Sequence, residues 1–353
     1  MDRENVLGFD FGGGDEIRFE RVGKAGVVTL TRPKALNALT HSMVTALGNA
    51  LDAWARDASV ALVVIRGEGR AFCAGGDILD VYRSGLAGNP PVSFFADEYR
   101  LNAAIARFPK PYVALIDGIV MGGGFGVSFH GSHRVLTENA SFAMPEVGIG
   151  FFPDVGGSYT LPRLRDAFGM YLALTGNRIR QGDALWAGLA THCIAAADLD
   201  GLLSALCESG DADAALAPVA GAPGPETDAA PRAMIAKCFS ADTLDGVLAA
   251  LAAEGGDFAA ATLETIAKRS PTSLKVAFRQ IRAGASLSMD ACMRMEFRIL
   301  NRMLAGTDFY EGIRAAIVDK DGAPQWRPAA LNEVDDAAVQ AYFAPLPGGD
   351  LVL

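Results

Sequence analysis

Histidine and cysteine are scarce in this sequence, four and five residues among 353, and their scarcity removes several chemistries at once. Cys73, Cys193, Cys207, Cys238 and Cys292 are scattered, odd in number and form no Cys-x-x-Cys pair. They read as small core residues and not as disulfides or metal ligands. His130 and His133 lie close together, but no helical His-Glu-x-x-His accompanies them, which argues against a zinc site. No Walker A sequence occurs, nor a Gly-x-Gly-x-x-Gly with a downstream acid, so phosphate-loop and dinucleotide readings are weak. Gly126-Val127-Ser128-Phe129-His130 lacks the second glycine of a Gly-x-Ser-x-Gly elbow, so Ser128 is expected to pack on its helix and not to act as a nucleophile. Nothing calls for a metal or redox cofactor. Basic residues are outnumbered, 31 to 41, and the net charge of -10 argues against a nucleic-acid surface and for a soluble protein. The longest apolar stretch, Val113 to Phe129, is broken by Asp117 and a glycine cluster, so it reads as core and not as a membrane span. Met1-Asp2-Arg3-Glu4-Asn5 has neither the basic nor the apolar region of a signal peptide, and no Arg-rich, acid-poor segment follows, so a cytoplasmic protein is expected.

What is present is a large apolar fraction, 50%, enough for one large or two smaller domains. Within it, Tyr112 to Ile116 is a short apolar run ending at Asp117-Gly118, as in a strand buried on both faces. The chain then enters Gly122-Gly123-Gly124-Phe125-Gly126. Such glycines let a backbone pass a ligand closely with its N–H groups exposed. If Val127 to His130 continue as a helix, those groups sit at its N-terminus and favour developing negative charge, as in an oxyanion hole. Ala71-Phe72-Cys73-Ala74-Gly75-Gly76-Asp77-Ile78 repeats the order of strand, glycines and helix, with Asp77 as a candidate cap. Downstream lie two acids in apolar, Gly- and Pro-rich surroundings, Glu146 and Asp154. Each could serve a turn; near a glycine-lined anion site each could equally serve chemistry.

In order along the chain, Glu16–Arg21 and Gly26–Leu30 form an opening hairpin. Thr40 caps a helix whose apolar positions are Met43, Val44, Leu47, Leu51 and Trp54. Val60–Ile65 is a second apolar strand, residues 84–91 a loop, and Val92–Phe108 a helix. Glu98 on that helix sits beside the apolar stripe, where the residues alone suggest a solvated edge. Leu164–Thr175, Asp183–Leu189, Leu244–Ala253, Phe258–Lys268 and Met289–Leu304 read as helices, and Ser270-Pro271 as an N-cap with proline in the first turn of another. The division expected is an α/β core over 1–207, an Ala/Pro/Gly-rich linker over 208–232, and a helical C-terminal region over 233–353.

This sequence resembles the crotonase (enoyl-CoA hydratase/isomerase) superfamily from about Gly26 to about Pro328. The run MPEVGIGFFPDVGGSYTLPRL resembles its 3-hydroxyisobutyryl-CoA hydrolase branch, as do Ser270-Pro271-Thr272-Ser273-Leu274-Lys275 and Asp308-Phe309-Tyr310-Glu311-Gly312-Ile313-Arg314. The resemblance implies an α/β spiral of ββα units, with the helical region covering an acyl-CoA site or mediating trimer contacts. It implies an oxyanion hole from the N–H groups of Gly76 and Gly123, catalytic Glu146 and Asp154, and substrate contacts at Glu98 and Ala74. Lys34 to Leu39 would lie along coenzyme A, which is part of the substrate, so no separate cofactor is expected. Enoyl-CoA hydratases of the family hold water with two glutamates; one matches Glu146, and the other falls at Gly126. The implied activity is hydrolysis of a short branched β-hydroxyacyl-CoA, 3-hydroxyisobutyryl-CoA in valine breakdown, with Asp154 on the acyl hydroxyl or the attacking water and Glu98 beside it. Enoyl-CoA hydration and non-catalytic acyl-CoA binding are the alternatives.

Overall fold

The computed structural model describes residues 6–353. The chain divides into two compact units, each discontinuous in sequence. The first holds the residues up to Gly76, Asp97–Phe142 and Ile179–Glu226; the second holds Asp77–Ala96, Ala143–Arg178 and Thr227–Leu353. This division differs from the contiguous one expected from composition.

Ten strands are present among the described residues: β1 (Val6–Phe9), β2 (Ile17–Val22), β3 (Ala25–Leu30), β4 (Leu62–Gly67), β5 (Ala71–Cys73), β6 (Tyr112–Ile116), β7 (Ile119–Met121), β8 (His133–Thr137), β9 (Ser141–Ala143) and β10 (His192–Ile194). Seven form a sheet in the order β1-β2-β3-β4-β6-β8-β10, antiparallel over β1 to β3 and parallel from β3 onward. The other three form a small sheet, β5-β7-β9. From β4 the chain repeats one order: a strand in the large sheet, a strand in the small sheet, then a helical element. β4 and β5 precede helix Ile78–Leu86, β6 and β7 precede the single turn Gly123–Gly126, and β8 and β9 precede the 3-10 turn Glu146–Ile149. This is the ββα order of the expected crotonase-like α/β fold.

The parallel register explains the core of the first unit. Val27 faces Val64, Val64 faces Val113 and Leu115 faces Val135, so side chains from neighbouring strands line one face of the sheet. That face packs against Leu202, Leu203 and Leu206 of helix Leu199–Ser209 and against Ala212, Ala215 and Leu216 of helix Ala212–Leu216. The segment that composition marks as the start of a linker therefore begins as core. Asp211 caps its helix by accepting the Ala214 N–H at 3.0 Å, and Leu216 is buried. The opening hairpin pairs β2 with β3 as expected. Thr40 Oγ1 accepts the Met43 N–H at 3.3 Å and starts helix His41–Arg56, with Met43, Val44, Leu47, Leu51 and Trp54 buried.

The second unit is mostly helical. Ser270 accepts the Ser273 N–H at 3.1 Å ahead of helix Pro271–Gly284, and Ser288 accepts the Ala291 N–H ahead of helix Met289–Leu304. Helix Ile78–Leu86 extends into the expected 84–91 loop, and Asp77 occupies its N-cap position without a side-chain capping bond. All five cysteines are free and buried. No helix among the described residues is long and apolar enough to cross a membrane.

Leu216→Ala should lower stability by about 2–5 kcal/mol in urea titration, as for a leucine removed from a packed core. A loss under about 0.5 kcal/mol, the scale of a surface change, would return this segment to linker status.

Candidate active site

The first unit builds a pair of backbone donors. β5 runs into Ala74-Gly75-Gly76, and this loop is pinned to the chain beside it: Ala74 N–H donates to Leu36 O at 3.0 Å and Leu39 N–H to Gly75 O at 2.8 Å. Asn37 secures that neighbouring segment. It is buried at φ 56, a left-handed backbone that Asn tolerates better than most residues. Its Nδ2 donates to Ala71 O and Glu68 O at 2.8 and 2.9 Å, and its Oδ1 accepts the Arg32 N–H at 2.9 Å.

β7 runs into Gly122, whose φ of 47 and ψ of -120 suit glycine alone. The helical turn begins at Gly123, with Phe125 N–H donating to Gly122 O at 2.8 Å and Val127 N–H to Gly123 O at 3.0 Å. This corrects the expected helix over Val127–His130. The turn forms on the glycines themselves, so Gly123 N–H belongs to the first turn and needs no carbonyl of its own element. A Cβ placed on Gly123 would lie 3.3 Å from Gly76 N and 2.6 Å from Glu98 Oε1. The two expected donors are therefore neighbours, with the Glu98 carboxylate next to them. Glu98 is buried, not solvated as its place on the helix suggested, because the face it occupies is covered along its whole width. Ala74 is half-buried between β5 and the glycines. Ser128 packs as expected, its hydroxyl donating to Gly124 O.

The second unit holds the two other acids. Pro145 leads into the 3-10 turn Glu146–Ile149, which closes at Gly150 in the left-handed region, where Phe151 N–H donates to Glu146 O at 3.0 Å. A Cβ on Gly150 would lie 2.2 Å from Asp308 O, and one on Gly312 would lie 2.3 Å from the Ile149 carbonyl carbon. Only glycines permit this approach of helix Asp308–Ile313. Ser270 N–H donates to Val147 O at 3.2 Å, and Ser270 Oγ donates to Asp308 Oδ2 at 2.7 Å. The two C-terminal motifs thus act as the clamp on the Glu146 turn.

Glu146 and Asp154 are 6% and 5% exposed. Burial pushes the Glu146 carboxyl well above the ordinary range, the negative charges of Asp154 and Glu296 add to this, and its own backbone N–H works the other way. One Glu146 oxygen, Oε2, is buried without a protein hydrogen-bond partner. A carboxylate whose ionised form is disfavoured in this way is a stronger base than an exposed one, and its unpartnered oxygen leaves a lone pair free.

Glu296 was missed by sequence reasoning. It is wholly buried on helix Met289–Leu304, and burial raises it to about 8. The signal was present: Glu296 falls between Cys292/Met293 and Ile299/Leu300, in the middle of the helix's apolar stripe and not at its edge. Asn37 was placed only within the Lys34–Leu39 segment expected along coenzyme A, and its three hydrogen bonds are not visible in composition.

This geometry joins the comparisons with known proteins. The enoyl-CoA hydratase/isomerase family model matches residues 25–343, and the chain belongs to that family. Among relatives, it is 44% identical to the mitochondrial 3-hydroxyisobutyryl-CoA hydrolase of Danio rerio, covering 96% of this chain and 92% of that one. It is 42% identical to the mitochondrial enzyme of the same name in Homo sapiens, covering 96% and 90%. A crystal structure described as a carnitinyl-CoA dehydratase from Mycobacterium thermoresistibile matches with TM-score 0.88 and 44% identity over 98% of both chains. One described as an enoyl-CoA hydratase from Rhodobacter sphaeroides matches with TM-score 0.87 and 38% identity over 96% of this chain and all of that one. The relatives' mitochondrial placement overturns the cytoplasmic expectation. Targeting segments are read by receptors and removed, so compartment is not encoded in the folded body.

The glycines of the first unit separate by what surrounds them. A Cβ on Gly124 would lie 2.2 Å from Cys73 O, in backbone, whereas the nearest atom to one on Gly123 is the end of the Glu98 side chain. Gly124→Ala should therefore lose about 1–3 kcal/mol in urea titration, and Gly123→Ala less than about 1 kcal/mol. The reverse order would contradict the assignment of Gly124 to packing and Gly123 to chemistry.

Proposed function

We propose that this chain hydrolyses the thioester of a short branched β-hydroxyacyl-CoA, with 3-hydroxyisobutyryl-CoA giving 3-hydroxyisobutyrate and free coenzyme A in valine breakdown. Near-full-length relatives named for this reaction support it, and one observation about the site carries it: Gly126. In a hydratase of this family a second glutamate stands there to share the water with Glu146, and here the position is a buried glycine within the donor turn. Addition across a carbon–carbon double bond loses one of its two acid–base groups. Attack on a thioester carbonyl does not need it.

In this reading Gly76 and Gly123 donate to the thioester oxygen as it gains negative charge, the part of the barrier that fixed dipoles lower most. Glu146 supplies the carboxylate, attacking the carbonyl carbon or taking a proton from water as water attacks. The tetrahedral adduct collapses by breaking the carbon–sulfur bond; where water attacked, the acid forms directly and the thiolate takes the proton held by Glu146, and where Glu146 attacked, water then hydrolyses the mixed anhydride, freeing the acid and the Glu146 carboxylate and supplying the thiolate's proton. Asp154 hydrogen-bonds the acyl hydroxyl or the water, and Glu98 contacts substrate. The carnitinyl-CoA dehydratase and enoyl-CoA hydratase descriptions of two structural relatives favour the second reading, water addition or elimination. The same family resemblance extends our proposal to a homotrimer, for which light scattering should give three times the mass of the chain; a monomer mass contradicts it.

Purified protein should release free thiol from (S)-3-hydroxyisobutyryl-CoA and show at most trace hydration of crotonyl-CoA. Efficient hydration without thiol release would replace the hydrolase reading by the second one. Glu146→Gln should lose at least ~10²-fold in kcat, the scale of a positioned base, and near-normal hydrolysis by this variant sinks the role given to Glu146. Gly123→Ala keeps the N–H but places a Cβ 2.6 Å from Glu98 Oε1 and 3.3 Å from Gly76 N; it should fold and lose at least ~10²-fold in kcat, the scale of a misplacement of about 1 Å at a reacting centre.

A further inference from the structure

The turn that carries Asp154 is held by groups distant in sequence. Val155 has φ 48 and Gly156 φ 88, two successive residues in the left-handed region. For a β-branched residue such as Val155 that conformation is a clear outlier and persists only where the surroundings over-determine it. Backbone of this kind turns successive N–H groups toward one side and forms a concavity for an anion. The anion is the Glu296 side chain. Its Oε2 accepts the Gly156 N–H at 2.9 Å, and its Oε1 accepts the Ser158 N–H at 3.0 Å together with the Ser158 hydroxyl. On the other side of Asp154, Gln280 Nε2 donates to Pro153 O at 2.6 Å. Both clamping side chains are wholly buried. A Cβ on Gly284, at the end of the Gln280 helix, would lie 1.9 Å from Ser158 O, so backbone packs directly on backbone there.

We propose that Glu296 is a positioning residue for thioester hydrolysis: it touches no reacting atom, and it fixes Asp154 by holding the strained Val155–Ser158 turn. This rests on the hydrolase reading above. The groups facing Glu296 are the acids Glu146 and Asp154, the Ser158 hydroxyl, and Cys292 one turn earlier on the same helix, whose thiol burial pushes up to about 11. Arg163 is the cation of this region, and its guanidinium is engaged by the carbonyls of Tyr159, Gly284 and Leu287.

Two variants test this. Glu296→Asp keeps the carboxyl but draws it back by one methylene from the turn. It should lose at least ~10-fold in kcat, since displacement of a catalytic group by about 1 Å has effects of this order or larger. Its KM should stay within about twofold. Glu296→Gln keeps the length and turns one acceptor into a donor facing the Gly156 N–H. It should lose a similar factor in kcat with KM again within about twofold. Wild-type kcat in either folded variant overturns the proposal. A crystal structure of whichever variant folds supplies a readout independent of the reaction. Val155 should leave positive φ and the Asp154 carboxylate should shift, and an unchanged turn overturns the proposal even if the wild-type protein hydrolyses the thioester. Absence of thiol release by the wild type would instead defeat the hydrolase reading and leave the structural readout to decide the role of Glu296.

Discussion

Glu146, Asp154 and Glu296 are three acids buried within one compact unit, and their mutual repulsion in a medium poorer than water at solvating charge is what the surrounding structure has to accommodate. Much of that unit's local backbone follows from it. Glu296 is made tolerable by donors from Gly156 and Ser158, which requires left-handed backbone at Val155 and Gly156. Glu146 has one oxygen without a protein partner, and burial leaves it high.

The first unit meets a different demand, a close approach of backbone at Gly76 and Gly123. β5 and β7 both lead into glycine loops, and Gly75 and Gly122 take backbone conformations that other residues rarely adopt. Asn37 ties the Leu36–Leu39 segment, which holds the Ala74–Gly76 loop, to β5. Backbone donors add no titratable group, so the pH dependence of the chemistry is left to the carboxylates.

Much of this was legible from residues alone. The Thr40 and Ser270 caps, the β2–β3 hairpin and helix Met289–Leu304 follow from local chemistry, and local chemistry is what a sequence displays most directly. The glycine pair and the acids Glu146 and Asp154 stood out because glycine clusters and acids in apolar surroundings are unusual. Hidden features were those set by distant partners. Glu296 acquires its meaning from a turn 138 residues away, and Glu98 from the glycine loop beside it. The helix after Gly122 was misplaced because only the φ of Gly122 decides where the turn begins. The boundary between the units at Glu226 and Thr227 falls within the expected 208–232 linker, but the start of that segment was misread because Ala and Leu over 212–216 answer to the sheet they cover.

The central claim is that a buried carboxylate, kept high by burial and by like charge, performs the reaction in its ionised form. The kcat–pH profile of the wild-type protein against that of Asp154→Asn tests it most directly. Glu146 is protonated and inactive below its raised value and ionised above it, so the wild-type acid limb should lie above the ordinary glutamate value of about 4.3. Removing the Asp154 charge should move that limb to lower pH, whatever it does to the size of kcat. An acid limb at the ordinary carboxylate value in the wild type, unmoved in Asp154→Asn, would contradict the account.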